Sequence, residues 1–460
     1  MYTLGIDIGS SFIKAAVFCL DTAQCVFRRS FPSFPRKDSP NPLIFEISAG
    51  DIVDTVRSLI DEAAAHYPIE MVLFSTQMHG FVYSTPGHED VYVSWQDSRC
   101  ADLMPGQQQT YLQKLRLLLT PEDMRPCGVD LKPSLGLCNL YALLNSDSSI
   151  LQNGELFTLG SYIISRLGGQ NICHITNAAP LGLVDVKNHC WNQDILVKAG
   201  LTGIHLPKLA QSDFEYCDSY STNGFTVKLL PDYGDQQVSI LGAMAAPGNA
   251  VINIATACQV SYNTDAFSPG EYEIRPYFQN TYINTISNMP GGRNLAVITD
   301  FLIHCANVLC GQTLSTADVW SALQQQWEVA PSDINVDTLF WPTASKLDGG
   351  GISGIKPGNF TLNALLTASY TDMAEIYAQN LPPICGGKLP DGLTFSGGVS
   401  WKNEALLETV SHHTGLPYSK SAMPDEAVAG MYRLSLLATG RISSLSQNPK
   451  NTLQWMQEEQ

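Results

Sequence analysis

The chain has 460 residues, 44% hydrophobic and 15% charged, with a formal net charge of -17. That length and apolar content support two or three packed domains and exclude a globally disordered chain. The acidic balance argues against nucleic acid or an anionic membrane as partner, yet leaves room for a local basic pocket that takes a phosphorylated nucleotide. The 12 cysteines are scattered without a C-x-x-C pair. Zinc or redox chemistry is therefore not indicated, and several cysteines lie in apolar runs as small hydrophobes. No basic segment followed by a long apolar one opens the sequence, and no run approaches a membrane span. A reducing, cytoplasmic setting with free thiols is the expectation.

Thr3 to Ile6 and Ile13 to Phe18 read as two short strands around the stretch Gly5-Ile6-Asp7-Ile8-Gly9-Ser10-Ser11. Gly9 lacks a Cβ and lets the turn approach a ligand closely. Ser10 and Ser11 add hydroxyls beside exposed backbone N–H groups, a combination that cradles anions. Asp7 faces the same point with the opposite sign, which makes sense with a hard cation such as Mg2+ in between. An ordinary hairpin with an acidic turn is the competing reading of this stretch alone.

Val26 to Phe34 reads as a third strand. From Asp51 to His66 the residues Ile52, Val53, Val56, Leu59, Ile60 and Ala63 repeat at helical spacing. Met71 to Phe74 is apolar without alternation, as in a strand buried on both faces. Together these indicate an α/β domain. The buried strand runs into Ser75-Thr76-Gln77-Met78-His79-Gly80, and open α/β sheets bind ligands just past the carboxyl ends of such strands. Next comes Val93-Ser94-Trp95-Gln96-Asp97-Ser98-Arg99-Cys100. An aromatic face among hydrogen-bonding groups suits a polyol or sugar; a core Trp95 with a structural Asp97–Arg99 ion pair is the alternative. Leu135 to Leu144 and Glu155 to Leu167 read as apolar helices. The patch Thr176-Asn177-Ala178-Ala179 reads as structural.

At Pro231-Asp232-Tyr233-Gly234-Asp235-Gln236-Gln237 the opening pattern returns, followed by a helix over Val238 to Ala246. Val251 to Ile254, the turn Ala255-Thr256-Ala257-Cys258 and Gln259 to Tyr262 form a second hairpin. The chain therefore reads as two related halves, 1–240 and 241–460. Leu362 to Leu381 is a long helix. Leu393 to Phe395 is a strand entering Ser396-Gly397-Gly398-Val399-Ser400, with a helix over Asn403 to Thr414. Strand, glycines and helix N-terminus make a site for a nucleotide's polar groups or its purine plane. Pro424 to Ala438 is a further helix, and Ser443 to Gln460 reads as a polar, peripheral tail.

In this order the segments resemble the FGGY carbohydrate kinases. The resemblance implies an α/β fold of two actin-like (ribonuclease H-like) ATPase domains around a central cleft. Asp7-Ile8-Gly9-Ser10-Ser11 with Lys14 resembles the family's first phosphate loop, and Gln77-Met78-His79-Gly80 its sugar loop. Gly234-Asp235 matches the pair holding the catalytic base. Ala255-Thr256-Ala257-Cys258 lies where the second phosphate loop belongs, and Gly397-Gly398-Val399-Ser400 with Asn403 matches the adenosine segment. Within the family the chain is most similar to the sedoheptulokinase branch, through Trp95-Gln96-Asp97-x-Arg99-Cys100, Asn253-Ile254-x-Thr256-x-x-Gln259, Pro276-Tyr277-Phe278-x-x-Thr281-Tyr282 and Asn288-x-x-Gly291-Gly292. It departs from the family in three places. No Lys-aromatic signature is visible around Ser134 to Leu144, Ala255 stands where Gly is usual, and Thr343 to Gly354 lacks a Glu-Arg pair.

The resemblance implies ATP-dependent phosphorylation of a primary hydroxyl on a ketose, sedoheptulose first and xylulose or ribulose next. Asp235 is the expected base; a helix N-cap is its competing reading. Asp7 and Asp235 are the expected Mg2+ carboxylates. Gln77, Met78, His79, Trp95, Asp97 and Gln236 form the expected sugar pocket, with His79 bonding a sugar hydroxyl. Gly9, Ser10, Ser11, Lys14, Thr256, Gly397, Gly398, Ser400 and Asn403 form the expected ATP site, Lys14 either supporting phosphate charge or facing solvent. The expected cofactors are ATP and Mg2+, and the partners a small-molecule sugar and a nucleotide, with a homodimer as candidate assembly. Two other classes stay open. A sensing relative that binds sugar and nucleotide without turnover is suggested by Ala255 and the altered segment 343–354. An actin-like or chaperone-like ATPase acting on a protein is opposed by the two sugar segments.

Overall fold

A computed structural model describes residues 1–146, 149–150, 153–326, 332–341, 349–447 and 453–455. In it the opening hairpin forms the middle of a mixed sheet. Strands β1 (Tyr2–Ile8), β2 (Phe12–Cys19) and β3 (Gln24–Pro32) run antiparallel. Helix α1 (Ala49–His66) follows, and β4 (Ile69–Thr76) returns parallel to β1. Ser48 caps α1 by accepting from Asp51 N, and Ile52, Val53, Val56, Leu59, Ile60 and Ala63 are all buried on one face. β5 (Asp218–Thr222) and β6 (Phe225–Gly234) complete this side, and α2 (Asp235–Ala243) leaves β6 without a loop. The strand order is β5-β6-β4-β1-β2-β3.

The second half repeats the plan. It holds β7 (Asn249–Ile254), β8 (Cys258–Thr264), β9 (Glu273–Pro276), β10 (Tyr282–Met289), α3 (Gly292–Cys310) and α4 (Leu362–Ile384). Then come β11 (Gly392–Ser396), α5 (Glu404–Thr414), β12 (Tyr418–Lys420) and α6 (Glu426–Ala438). The sheet order is β9-β10-β8-β7-β11-β12. β3-β2-β1-β4-β6 in the first sheet and β10-β8-β7-β11-β12 in the second share one topology: two antiparallel steps, then two parallel ones. The halves read from the two hairpins are one ribonuclease H-like plan used twice. A small antiparallel sheet of Glu46–Ser48, Val91–Val93, Phe81–Ser84 and Glu155–Phe157 is added to the first half and carries the Trp95 segment.

Two expectations change. Glu155 to Leu167 is a strand, Glu155–Phe157, then a helix, Leu159–Arg166. Thr158 makes the break, because its capping box with Ser161 starts a new helix there. Within the tail, residues 453–455 are not peripheral: Gln454–Trp455 pairs in parallel with β3, and Leu453 is buried in the core beneath it. Of the segment 343–354, positions 343–348 lie outside the described residues. All 12 cysteines are free. Among the described residues no helix is long and apolar enough to cross a membrane.

Helix α6 returns to the first half and crosses α2 at two glycines. A Cβ on Gly242 would stand 1.8 Å from Glu426 O, and one on Gly430 would stand 1.9 Å from Val238 O. The backbones therefore touch, and no side chain fits between them. Gly430→Ala should force the helices apart and lower unfolding free energy by at least about 2 kcal/mol. The check is a urea titration; a midpoint equal to that of the unaltered chain would show that the crossing yields.

Candidate active site

β1, β4 and β6 are parallel and in register. Asp7 pairs with Ser75 and Ser75 with Tyr233; Ile8, Thr76 and Gly234 form the next row. This brings Asp7 and Asp235 to the same carboxyl edge of the sheet. Asp7 is 7% exposed, and its Oδ1 accepts from Ser75 Oγ at 2.7 Å. Asp235 is partly exposed and is the first residue of α2, its Oδ1 accepting from Gln236 N at 2.8 Å. The N-cap position belongs to Gly234, so Asp235 does not serve as that cap. Beneath it, Gly234 N donates to Thr176 Oγ1 at 3.1 Å, while Asn177 Nδ2 and Thr158 Oγ1 donate to Asp232 Oδ2 at 2.7 and 2.6 Å. The Thr176–Ala179 patch is a brace under the strand that carries Asp235.

The loop after β4 lies at the same edge. Gln77 N donates to Ile8 O at 3.2 Å. Gln77 Oε1 and the Tyr92 hydroxyl are buried and have no hydrogen-bond partner among the described residues. Met78 is buried, with its sulfur against Gly234. His79 sits at φ 66°, and its Nδ1 donates to Pro180 O at 2.8 Å. Its Nε2 accepts from Arg275 Nη2 at 3.3 Å. Both ring nitrogens are spent within the protein, which corrects the expected bond to a sugar hydroxyl. Trp95 is 41% exposed and offers its ring to the solvent side.

Asp97 is also corrected. It is fully buried; Oδ2 accepts from Phe45 N and Arg99 Nη2 at 2.7 Å each, and Oδ1 from Arg99 N and Nε at 3.0 and 2.9 Å. No lone pair is left for a sugar, and the structural ion pair is what the fold contains. Gln236 is likewise buried. Its Nε2 donates to Thr285 Oγ1 at 3.2 Å and Gln259 Oε1 at 3.3 Å, and its Oε1 accepts from Arg275 Nη1. The sequence reading missed Arg275. The available signal was a cation beside Glu273 in a strand just before the Pro276-Tyr277-Phe278 motif.

On the other side of the cleft, Ala255 and Thr256 are exposed in the turn between β7 and β8. The turn is clamped to the start of α3, where Gly292 N donates to Ala255 O at 2.8 Å and Arg293 N to Thr256 O at 3.0 Å. Ala255 is not at positive φ, so its methyl needs no strained backbone. Gly397 does need to be glycine: its φ is 86°, and a Cβ would stand 2.6 Å from Ile254 O. Thr256, Gly398 and Asn403 line a cavity of about 1380 Å³ together with Arg293, Trp320 and Tyr370. Its apolar walls and clamped turn suit a nucleoside with a phosphate chain.

Three residues expected to touch ATP are occupied otherwise. Ser400 Oγ is buried and donates to Ser396 O at 2.7 Å. Asn403 caps α5 through Leu406 N, and its Nδ2 donates to Tyr370 OH at 2.8 Å. Lys14 Nζ lies 3.2 Å from Asp425 Oδ2, so it is paired within the protein while its side chain stays partly exposed. Gly9, Ser10 and Ser11 remain at the surface of the first turn, which Ser33 pins through Gly9 O and Ser11 O.

Burial pushes the Asp7 carboxyl up to about 6. Burial, and then the charge of Asp7, pushes Asp235 up to about 7. Two hard-oxygen acids that resist ionisation together fit Mg2+, which takes one or two carboxylates and completes its shell with phosphate and water. Both carboxyls sit above their unfolded value, near 4. Their contribution to stability is full below that value and is lost as pH rises through the folded values. Without ligand, Asp235→Asn should therefore stabilise the protein by about 1–2 kcal/mol near pH 8 and by little near pH 5. Denaturant midpoints at both pH values test this; a loss of stability at pH 8 would contradict it.

Residues 2–242 match the FGGY family of carbohydrate kinases, N-terminal domain. A sedoheptulokinase of Mus musculus is 23% identical over 345 residues, covering 65% of this chain and 69% of that protein. The crystal structure of xylulose kinase from Rhodospirillum rubrum aligns with a TM-score of 0.82 over 97% of this chain and 91% of that one, at 14% identity. Plasmodium falciparum glycerol kinase with ADP aligns with a TM-score of 0.79 over 96% and 90%, at 15% identity. The solved structures share the fold, and the family match covers more than half of the 460 residues. The chain belongs to the FGGY family of carbohydrate kinases.

Proposed function

We propose that this sugar kinase moves the γ-phosphoryl group of ATP to a primary hydroxyl of a ketose, with sedoheptulose as first candidate and xylulose or ribulose next. The observation that carries the reading is Asp235 at the edge of in-register strands, with its carboxyl raised to about 7. A carboxylate with that value is a stronger base than an ordinary one and accepts a proton near neutral pH. Asp235 takes the hydroxyl proton as the sugar oxygen bonds to phosphorus and the bond to ADP breaks. Asp7 and Asp235 would hold Mg2+, which offsets phosphate charge when bound. The exposed turns at 9–11 and 255–257 offer backbone N–H groups to the phosphates. The adenosine belongs in the cavity beside Gly398. Trp95, with the unpartnered Gln77 Oε1 and Tyr92 hydroxyl, supplies the sugar face.

Sedoheptulose is favoured by the motif order and by the mouse relative's name. The chain divides functionally near 240/241, with α6 and residues 453–455 returning to the first half. Ala255 and the altered segment 343–354 are the grounds for a sensor without turnover; the ordinary backbone at Ala255 supports turnover over that reading. A homodimer stays a candidate assembly.

Coupled ADP release with Mg-ATP and a panel of ketoses and polyols, against a no-sugar blank, tests the reading. Turnover confined to a seven- or five-carbon ketose is expected. ATP binding without ADP release on any sugar would overturn it. Asp235→Asn should lower kcat about 10²–10⁴-fold with the KM for ATP little changed; full activity would remove Asp235 from the role of base.

A further inference from the structure

Arg275 lies on β9, the edge strand of the second half, and is 5% exposed. Its guanidinium crosses to the first half. Nη2 donates to His79 Nε2 at 3.3 Å, and Nη1 donates to Gln236 Oε1. Nε and Nη2 hold Glu273 Oε2 at 3.1 and 2.5 Å. The other oxygen of Glu273 accepts from Lys132 Nζ, again in the first half. One side chain thus ties together the loop after β4, the first turn of α2 and the edge of the second sheet. Gln236, which it grips, directly follows Asp235. A planar fork with several fixed donors can hold these partners at once; a lysine offers a single point charge and cannot.

The charges around the fork are unbalanced. Lys132 and Arg275 share one ion-pair partner, Glu273, and burial together with these two cations holds His79 down to about 3, so its ring is neutral. With Nδ1–H given to Pro180 O, the neutral ring must present Nε2 as an acceptor, and Arg275 uses it. Asp235 is faced by Asp7 from β1, which raises it, by Arg275 from β9, which lowers it, and by the Tyr92 phenol from the small sheet.

We propose that Arg275 is a positioning residue for phosphoryl transfer: it locks Gln236 beside Asp235 and the His79 loop across the cleft, so that the base and the sugar loop keep one geometry. This rests on the kinase reading. Arg275 touches neither reacting atom; it acts through Gln236 and His79. A sugar that orders residues 77–80 is felt at Asp235 through the same fork.

The test uses Arg275→Gln and Arg275→Lys in the full chain. Steady-state kinetics give kcat and KM separately, alongside calorimetric binding of Mg-ATP. Arg275→Gln and Arg275→Lys should each lower kcat tenfold or more, because neither side chain supplies the planar fork, while both bind Mg-ATP as the unaltered chain does. A kcat within twofold of the unaltered chain, with only a lower melting temperature, would make Arg275 a structural tie and overturn the proposal. Should Arg275→Gln fail to fold, Gln236→Leu cuts the same link from the other end. It should lower kcat, and an unchanged kcat would overturn the proposal. Absence of sugar-dependent turnover in the unaltered chain would instead contradict the kinase reading. The ¹⁵N signals of His79 still decide the inference in that case: one tautomer with Nδ1–H is expected in the unaltered chain and a mixture in Arg275→Gln, while identical spectra would overturn it.

Discussion

Two carboxyls held at one sheet edge against the cost of burying their charge are the constraint on which the rest of this molecule depends. Asp7 and Asp235 come together only because β1, β4 and β6 are parallel and in register. Burying a carboxylate is unfavourable unless something offsets its charge. The fold supplies part of the offset to Asp7 through Ser75 and Lys14, and part to Asp235 through Gln236 N and Arg275. What remains is not offset within the protein; under the proposed mechanism a cation and a proton from substrate would meet it, and ligand-free stability would be given up for chemistry, a common trade at such sites.

The two halves are kept in one arrangement by contacts that share the elements of the site. α2 begins at Asp235 and meets α6 backbone to backbone at Gly242 and Gly430. α6 begins where Asp425 pairs with Lys14 on β2, and where Glu426 accepts from Gly397 N, next to Gly398 of the cavity. One helix start therefore touches both halves of the chain. On the sugar side the link is the Arg275 fork.

Much of this plan was legible in the sequence because it is local. The apolar run at 71–74, the glycine turns and the repeated hairpin need only neighbouring residues to be read, and they disclose the doubled fold. The misreadings arose where a distant partner decides. His79 is claimed by Arg275, 196 residues on, and Lys14 by Asp425, 411 residues on. Asp97 completes its shell with the backbone of Phe45, 52 residues earlier. A polar residue in a binding motif shows what it can bond, and only the tertiary structure shows what has already bonded it. The break at Thr158 is different: a capping box is a local signal, and it outweighed the apolar run on either side.

The most direct measurement is the titration of the Asp235 carboxyl carbon in the ligand-free chain, followed by ¹³C NMR with Asp235→Asn as the assignment control. A carboxyl whose anion is disfavoured by desolvation and by a neighbouring acid should titrate well above the ordinary carboxylate range. A titration within the ordinary range would mean that Asp235 ionises as an unperturbed carboxylate, and the account of the site built on the two paired acids would be wrong.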